Sequence, residues 1–369
     1  MVTALKTSIN ILLVFLFTAC TSVPDERMTS YVDFPETREL TARTLSLDSA
    51  LFRYPYRVRV QDDKAVVLDL HGTEYFFHAF HYPGFHYLSS FGKRGDAPEE
   101  MLSAENLRWN RNFLWTLDSN KSELTRLGFA SSGDSLLRLE AVSLDEELLR
   151  ALDFVQYDDS TFIIPDYSGD GRFCLVSRQG KLLRKIGTVP TANEDALKSA
   201  RPALAQAWRS FIDYNPRNGV LAAVTQLGEV LEIYNLKDST HIVRIGPNGE
   251  PEFQISQGYG IPTGIMGFSD IQVTDSAIYV VFQGRAFKDI MQKAQQGINL
   301  PDGGQNIYVF SLEGKPLRKY VLDHYIHGIS VDEQKGIIIA TDVNKDEPII
   351  EYRYHSAAKA KTHLVRIKK

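Results

Sequence analysis

From about residue 41 onward the chain alternates apolar and polar residues with period two, and Gly, Asp, Asn or Pro cuts the alternation every few residues. Tyr56-Arg-Val-Arg-Val60 is an example, while Phe113-Leu-Trp-Thr-Leu117, Val220-Leu-Ala-Ala-Val224 and Gly336-Ile-Ile-Ile-Ala-Thr341 are short, largely apolar runs between the same kinds of turn residue. Successive side chains of a strand point to opposite faces, so these runs read as short strands with at least one buried face. Many such strands joined by turns predict an all-β sandwich, barrel or propeller. With 43% hydrophobic residues the chain has apolar surface enough for a core, which excludes a disordered chain. Its apolar runs are too short and too few for a polytopic helical membrane protein.

Repetition chooses among the three architectures. Phe173-Cys-Leu-Val-Ser-Arg-Gln-Gly180-Lys-Leu-Leu-Arg-Lys-Ile-Gly187 lines up with Ile307-Tyr-Val-Phe-Ser-Leu-Glu-Gly314-Lys-Pro-Leu-Arg-Lys-Tyr320, and looser copies end at Gly92 and Gly246. Each copy reads as the third and fourth strands of a four-stranded unit. Unit ends fall at Gly92, near Glu140, and at Gly187, Gly246, Tyr320 and Ile367. Units of roughly 40–50 residues, two of them lengthened, fit radial repetition. The expectation is a six-bladed β-propeller of four-stranded antiparallel blades over residues 41–369, with short helical insertions in two loops.

The N-terminus reads as an address. Lys6 precedes an apolar stretch over residues 9–17, too short to span a bilayer as a helix but long enough for a signal-peptide core. Thr18-Ala19-Cys20 resembles the lipobox of bacterial lipoproteins, with Phe17 where Leu is usual. The expectation is a signal peptide over residues 1–19, lipidation of Cys20 and a tether over residues 20–40 carrying Pro24 and Pro35. That places the protein in the bacterial cell envelope, at the outer membrane, periplasmic or surface-facing. The other reading is an ordinary secretory signal with an incidental cysteine. The chain's second and last cysteine, Cys174, then has no partner for an internal disulfide and reads as a core thiol. A net charge of −5 argues against a nucleic-acid partner, which would call for a basic face.

The turn closing the first unit, Ser90-Phe-Gly-Lys93-Arg-Gly95-Asp-Ala-Pro98-Glu-Glu100, resembles the corresponding turn of NHL-like and TolB-like six-bladed propellers, above all uncharacterised TolB-like propeller lipoproteins. The resemblance implies a binding platform and assigns no activity.

In such a blade the loop between second and third strands and the connection to the next blade leave on the same face. Insertions at residues 188–209, 247–267 and 284–304 all belong to these types and predict function on that face. The first and third carry helical patterns, over residues 193–210 and 285–296, whose apolar stripes are expected to lie buried on the sheet edges, or else to cap the channel or present a partner surface. The second holds Tyr259 in a Gly-rich loop that lacks the strand-to-helix setting of a dinucleotide site. Binding candidates on this face are Lys93, Arg94, Tyr259, Arg285, Lys288, His324 and His327.

Asp166-Tyr-Ser-Gly-Asp170-Gly171 begins like a calcium loop, but Ser177 stands where the closing Glu belongs. Asp342, Asn344 and Asp346 repeat the alternation without the Gly. Together they keep open a calcium-dependent, lactonase-like hydrolase or lyase at the central channel. No Gly-x-Ser-x-Gly, His-Glu-x-x-His or phosphate-loop motif is present. The reading the residues favour is an envelope binding or scaffolding module without a cofactor, holding a protein, peptide or glycan partner.

Overall fold

The computed structural model describes residues 26–47 and 52–354. The signal segment, Cys20 and residues 355–369 lie outside them. Among the described residues the strands form six blades, at 55–93, 106–143, 155–186, 210–245, 268–326 and 329–353, plus a hairpin, Phe253–Ser256 with Tyr259–Pro262. The innermost strands contact one another around the ring and line its axis. The six-bladed, all-β expectation is correct.

Apolar residues of facing sheets pack between neighbouring blades. Val66, Leu68, Leu107 and Leu114 join the first two blades, Trp115, Leu124, Phe162 and Cys174 the next pair, and Val58, Val67, Ile337 and Ile349 the sixth to the first. Each blade is sandwiched by two others, so sheets stacked face to face bury both surfaces. This is why strands such as Val220–Thr225 and Ala277–Phe282 are buried at every position. Burial pushes the Cys174 thiol up to about 12, with Asp166 nearby acting in the same direction, so it is an inert core group.

The N-terminal residues correct two expectations. From Glu26 the segment expected as a tether is strand: β1 (Glu26–Ser30) pairs in parallel with the outer strand of the fourth blade, and β2 (Thr37–Leu40) with that of the fifth. Next, β3 (Arg43–Thr44) pairs antiparallel with Ile349–Arg353 and supplies the sixth blade's outer strand, which the repeat spacing assigned to residues near Ile367. The ring is therefore closed by the N-terminal side of the chain. The belt is held by the Tyr31 hydroxyl on the buried Glu229 carboxylate at 2.7 Å, by Phe34 against Tyr308 and Phe310, and by Arg318 on Glu36 at 2.9 Å. An outer strand otherwise presents unpaired backbone groups, and the belt covers three such edges in succession.

The helix expected at 193–210, kinked or divided by Pro202, is divided: α1 (Glu194–Ser199) and α2 (Arg201–Ala207) meet at Ala200, with Pro202 in the first turn of the second. Ala203, Leu204 and Ala207 of α2 are buried, and Trp208 just after it packs with them against Val230 and Val243, as the stripe predicts. The third helix, α3 (Phe287–Gln295), buries none of its residues, so the expectation that it lies against a sheet edge is wrong.

Candidate functional site

The axis of the propeller is filled. Arg57 and Arg59 of the first blade and Arg108 of the second point inward against Asp270, Asp213 and Asp153. Arg57 and Arg59 both pair with Asp270, the latter at 2.7 Å, and Arg108 bridges Asp153 at 3.1 Å and Asp213 at 3.0 Å. Each carboxylate also accepts a backbone N–H from the next blade's inner strand: Asp153 from Ile212, Asp213 from Val273 and Asp270 from Ile329. Burial would raise the Asp270 carboxyl, yet Arg57 and Arg59 outweigh it and hold it at about 2; burial wins over Arg108 at Asp213, whose carboxyl is raised. Three cations meet three anions, so this plug is charge-balanced and ties inner strands together instead of forming an open pore.

On the long-loop face, which carries residues 94–105, 187–209, 246–267, 283–303 and 342–348, the plug is capped. Tyr54 donates its hydroxyl proton to Asp302, and His327 Nε2 lies 3.1 Å from that hydroxyl and 3.2 Å from Asp302 Oδ1. The His327 ring beside it, together with the Tyr54 hydrogen bond, holds the Asp302 carboxyl well below the usual carboxylate range. Asn344 exchanges hydrogen bonds with the Asp302 backbone at 2.8 Å each way, while Asp342 accepts from Asn344 and contacts His324 Nδ1 at 2.8 Å. Arg285 donates to the Gly303 carbonyl at 2.5 Å and stacks on Tyr325. His324, His327, Arg285, Asp342 and Asn344 are thus brought together, and Tyr54 and Asp302, missed in the sequence, complete the set. The arrangement pins both ends of the 283–303 insertion over blades five, six and one.

The other candidates stay apart. Lys93 pairs with Glu100 at 2.7 Å, and Arg94 donates to the Gly72 carbonyl while lying over Phe76. Both belong to the folded turn after the first blade, whereas Arg285 and Lys288 lie on the insertion of the fifth. Asp166 accepts from Ser168 and the Gly171 backbone, and Lys185 reaches Asp170 at 3.0 Å and Asp166 at 3.7 Å. A lysine ammonium therefore sits among the carboxylates offered as calcium ligands. Asp166 and Asp342 belong to the third and sixth blades, across the ring from each other. Asp346 is exposed. No group of three metal-ligating side chains occurs among the described residues.

Among the side chains that the long-loop face exposes are large apolar ones. Ile255, Tyr259 and Ile261 of the hairpin stand out, as do Met291 and Ile298 on and after α3, with Tyr259 60% and Met291 62% exposed. The two insertions are neighbours, since Met266 and Phe287 donate to the Arg285 and Gly264 carbonyls. Lys288 is exposed beside them.

The short-loop face carries the turns 62–63, 111–112, 157–160 and 216–219 and is open. A cavity of about 840 Å³ there is walled by Trp109, Gln156, Tyr157 and Tyr214 and reaches down to Arg108 and Asp213 of the plug. It was not foreseen in the sequence, although an amide near the end of five inner strands, Gln61, Asn110, Gln156, Asn215 and Gln272, signals a polar rim.

Compared with known proteins, the chain matches the family model described as TolB-like 6-blade propeller-like over residues 33–334. No protein of curated function matches it. Among solved structures, a Bacteroides fragilis protein described as exported superposes with a TM-score of 0.54 at 10% identity, covering 88% of this chain and 98% of that one. An auxiliary nutrient binding protein from Bacteroides ovatus gives 0.52 at 9% identity, covering 85% of this chain and 76% of its own. At such identities the likeness is one of fold.

Proposed function

This chain belongs to the TolB-like six-blade propeller family, and from that premise we propose that it is an envelope lipoprotein that holds a partner protein on its long-loop face. The carrying observation is the exposure of Ile255, Tyr259, Ile261, Met291 and Ile298 on two adjoining insertions, where ordering a loop otherwise gains nothing. Large apolar residues on a rigid support are what an interface core needs, and the pinned ends of the 283–303 insertion limit the entropy lost on association. The same fold in a protein described as nutrient binding supports binding over catalysis. The lipid anchor at Cys20 supports an attachment near the short-loop edge of the fourth blade, because Glu26 of β1 pairs with His241 at that end. Six residue steps from Cys20 reach no more than about 20 Å, which leaves the long loops facing away from the bilayer.

Replacing Ile255, Tyr259 and Met291 together by Ser is expected to abolish capture of the partner in cross-linking of intact envelopes while the protein stays folded and membrane-bound. Unchanged cross-linked species would sink the reading. Cys20→Ala is expected to remove incorporation of labelled palmitate and to release the protein from the membrane fraction.

A further inference from the structure

We infer that the open mouth on the short-loop face is a second site, independent of the partner surface, and that it binds a neutral oligosaccharide. Four observations point to that chemistry.

Its size, about 840 Å³, falls in the range of ligand sites and gives room for several sugar rings. Its walls combine flat aromatic faces with planar polar groups: Tyr157 and Tyr214 stand with ring centroids 5.5 Å apart at 53°, Trp109 lies beside them, and Asn110 and Gln156 face one another through a hydrogen bond. A sugar offers the same alternation, an apolar C–H face for an aromatic ring and an edge of hydroxyls that both donate and accept.

Third, the cations are already matched. At the rim Arg111 pairs with Asp159 at 3.3 Å and Arg217 with Asp275 at 2.7 Å, and at the floor Arg108 is balanced by Asp153 and Asp213. A phosphate or uronate entering here would meet no free cation and would face the Asp62 and Asp158 carboxylates, which also line the site, whereas a hydroxyl can bridge such pairs without disturbing them. Fourth, Arg108 is only 7% exposed, lines the cavity, and its Nε–H has no acceptor among the described residues. A buried donor without an acceptor is costly, and a hydroxyl oxygen seated on the floor would supply one.

Isothermal titration of the full chain against short cello-, xylo-, malto-, laminari- and chito-oligosaccharides tests the assignment, with galacturonic and sugar-phosphate oligomers as charged controls. The expected result is binding of a neutral oligosaccharide that Tyr214→Ala or Gln156→Ala weakens about tenfold or more, as loss of a stacking or hydrogen-bonding partner implies. Tyr259→Ser, on the other face, leaves it unchanged. Absence of heat with every neutral oligomer, or binding of the charged controls alone, overturns the inference. So does undiminished binding by a folded Tyr214→Ala protein. Should the variants not fold, the indole N–H resonance of Trp109 in the wild-type protein decides: it shifts on saccharide addition if the site is there and stays fixed if it is not. Failure of the partner-protein reading leaves this titration untouched.

Discussion

The two mouths of the channel are ends of the same six inner strands, yet one is roofed and the other open. On the long-loop side Tyr54, Asp302 and His327 fasten an insertion over blades five, six and one, and apolar residues face outward. On the short-loop side two- to four-residue turns leave the axis uncovered, and the wall is aromatic and amide-rich. Between them the plug of Arg57, Arg59 and Arg108 with Asp153, Asp213 and Asp270 keeps the ends from communicating through open space. The contrast follows from blade geometry: the two lengthened loop types leave on one face, so insertions accumulate there, while the tight strand-to-strand turns collect on the other.

The largest expected effect comes from the element that both ends share. Asp270→Ala leaves two buried guanidinium groups without their carboxylate and should destabilise the fold by about 3–5 kcal/mol in chemical denaturation. A loss below 1 kcal/mol would mean the plug does not join the inner strands. Acid probes the same group. Because the folded carboxyl of Asp270 is depressed to about 2 from 3.8, its contribution is complete above about pH 4 and is lost as the pH falls toward 2. That loss amounts to about 2–3 kcal/mol and should be missing from the melting-temperature profile of Asp270→Asn. On the roofed side alone, Tyr54→Phe removes a hydrogen bond to a charged acceptor and should cost about 1–2 kcal/mol, with faster hydrogen exchange confined to residues 283–303. Equal acceleration at the open mouth would break the distinction. The smallest effect belongs to Met291→Ser, within about 0.5 kcal/mol of wild type because α3 buries nothing.

The strands and their sixfold repetition were legible because short apolar or alternating runs recur between turn residues, and the third and fourth strands of several blades repeat in sequence. The closing strand was not, for Arg43–Thr44 is two residues long and carries no periodicity. Nor were β1 and β2: Glu-Arg-Met-Thr-Ser and Thr-Arg-Glu-Leu have no apolar stripe, and they become strands because an outer blade edge offers unpaired backbone groups. His324 and His327 were visible as candidates, but their partners Asp302 and Tyr54 lie at unrelated places in the chain, and Tyr54 meets His327 across 273 positions only when the ring closes. For α3 the helical period was read correctly and its burial wrongly, since amphipathicity fixes a stripe without saying what covers it. The open mouth is not legible from loop lengths, which mark the opposite face; its signal is the repeated amide at the inner strand ends.

Hydrogen–deuterium exchange of the full chain with and without the neutral oligosaccharide identified by titration tests the separation of the two ends most directly. Protection confined to residues 106–112, 155–160 and 210–219, with exchange over 246–303 unchanged, is the predicted result. Protection appearing instead in the 246–267 and 283–303 insertions would contradict it and place both kinds of binding on the long-loop face.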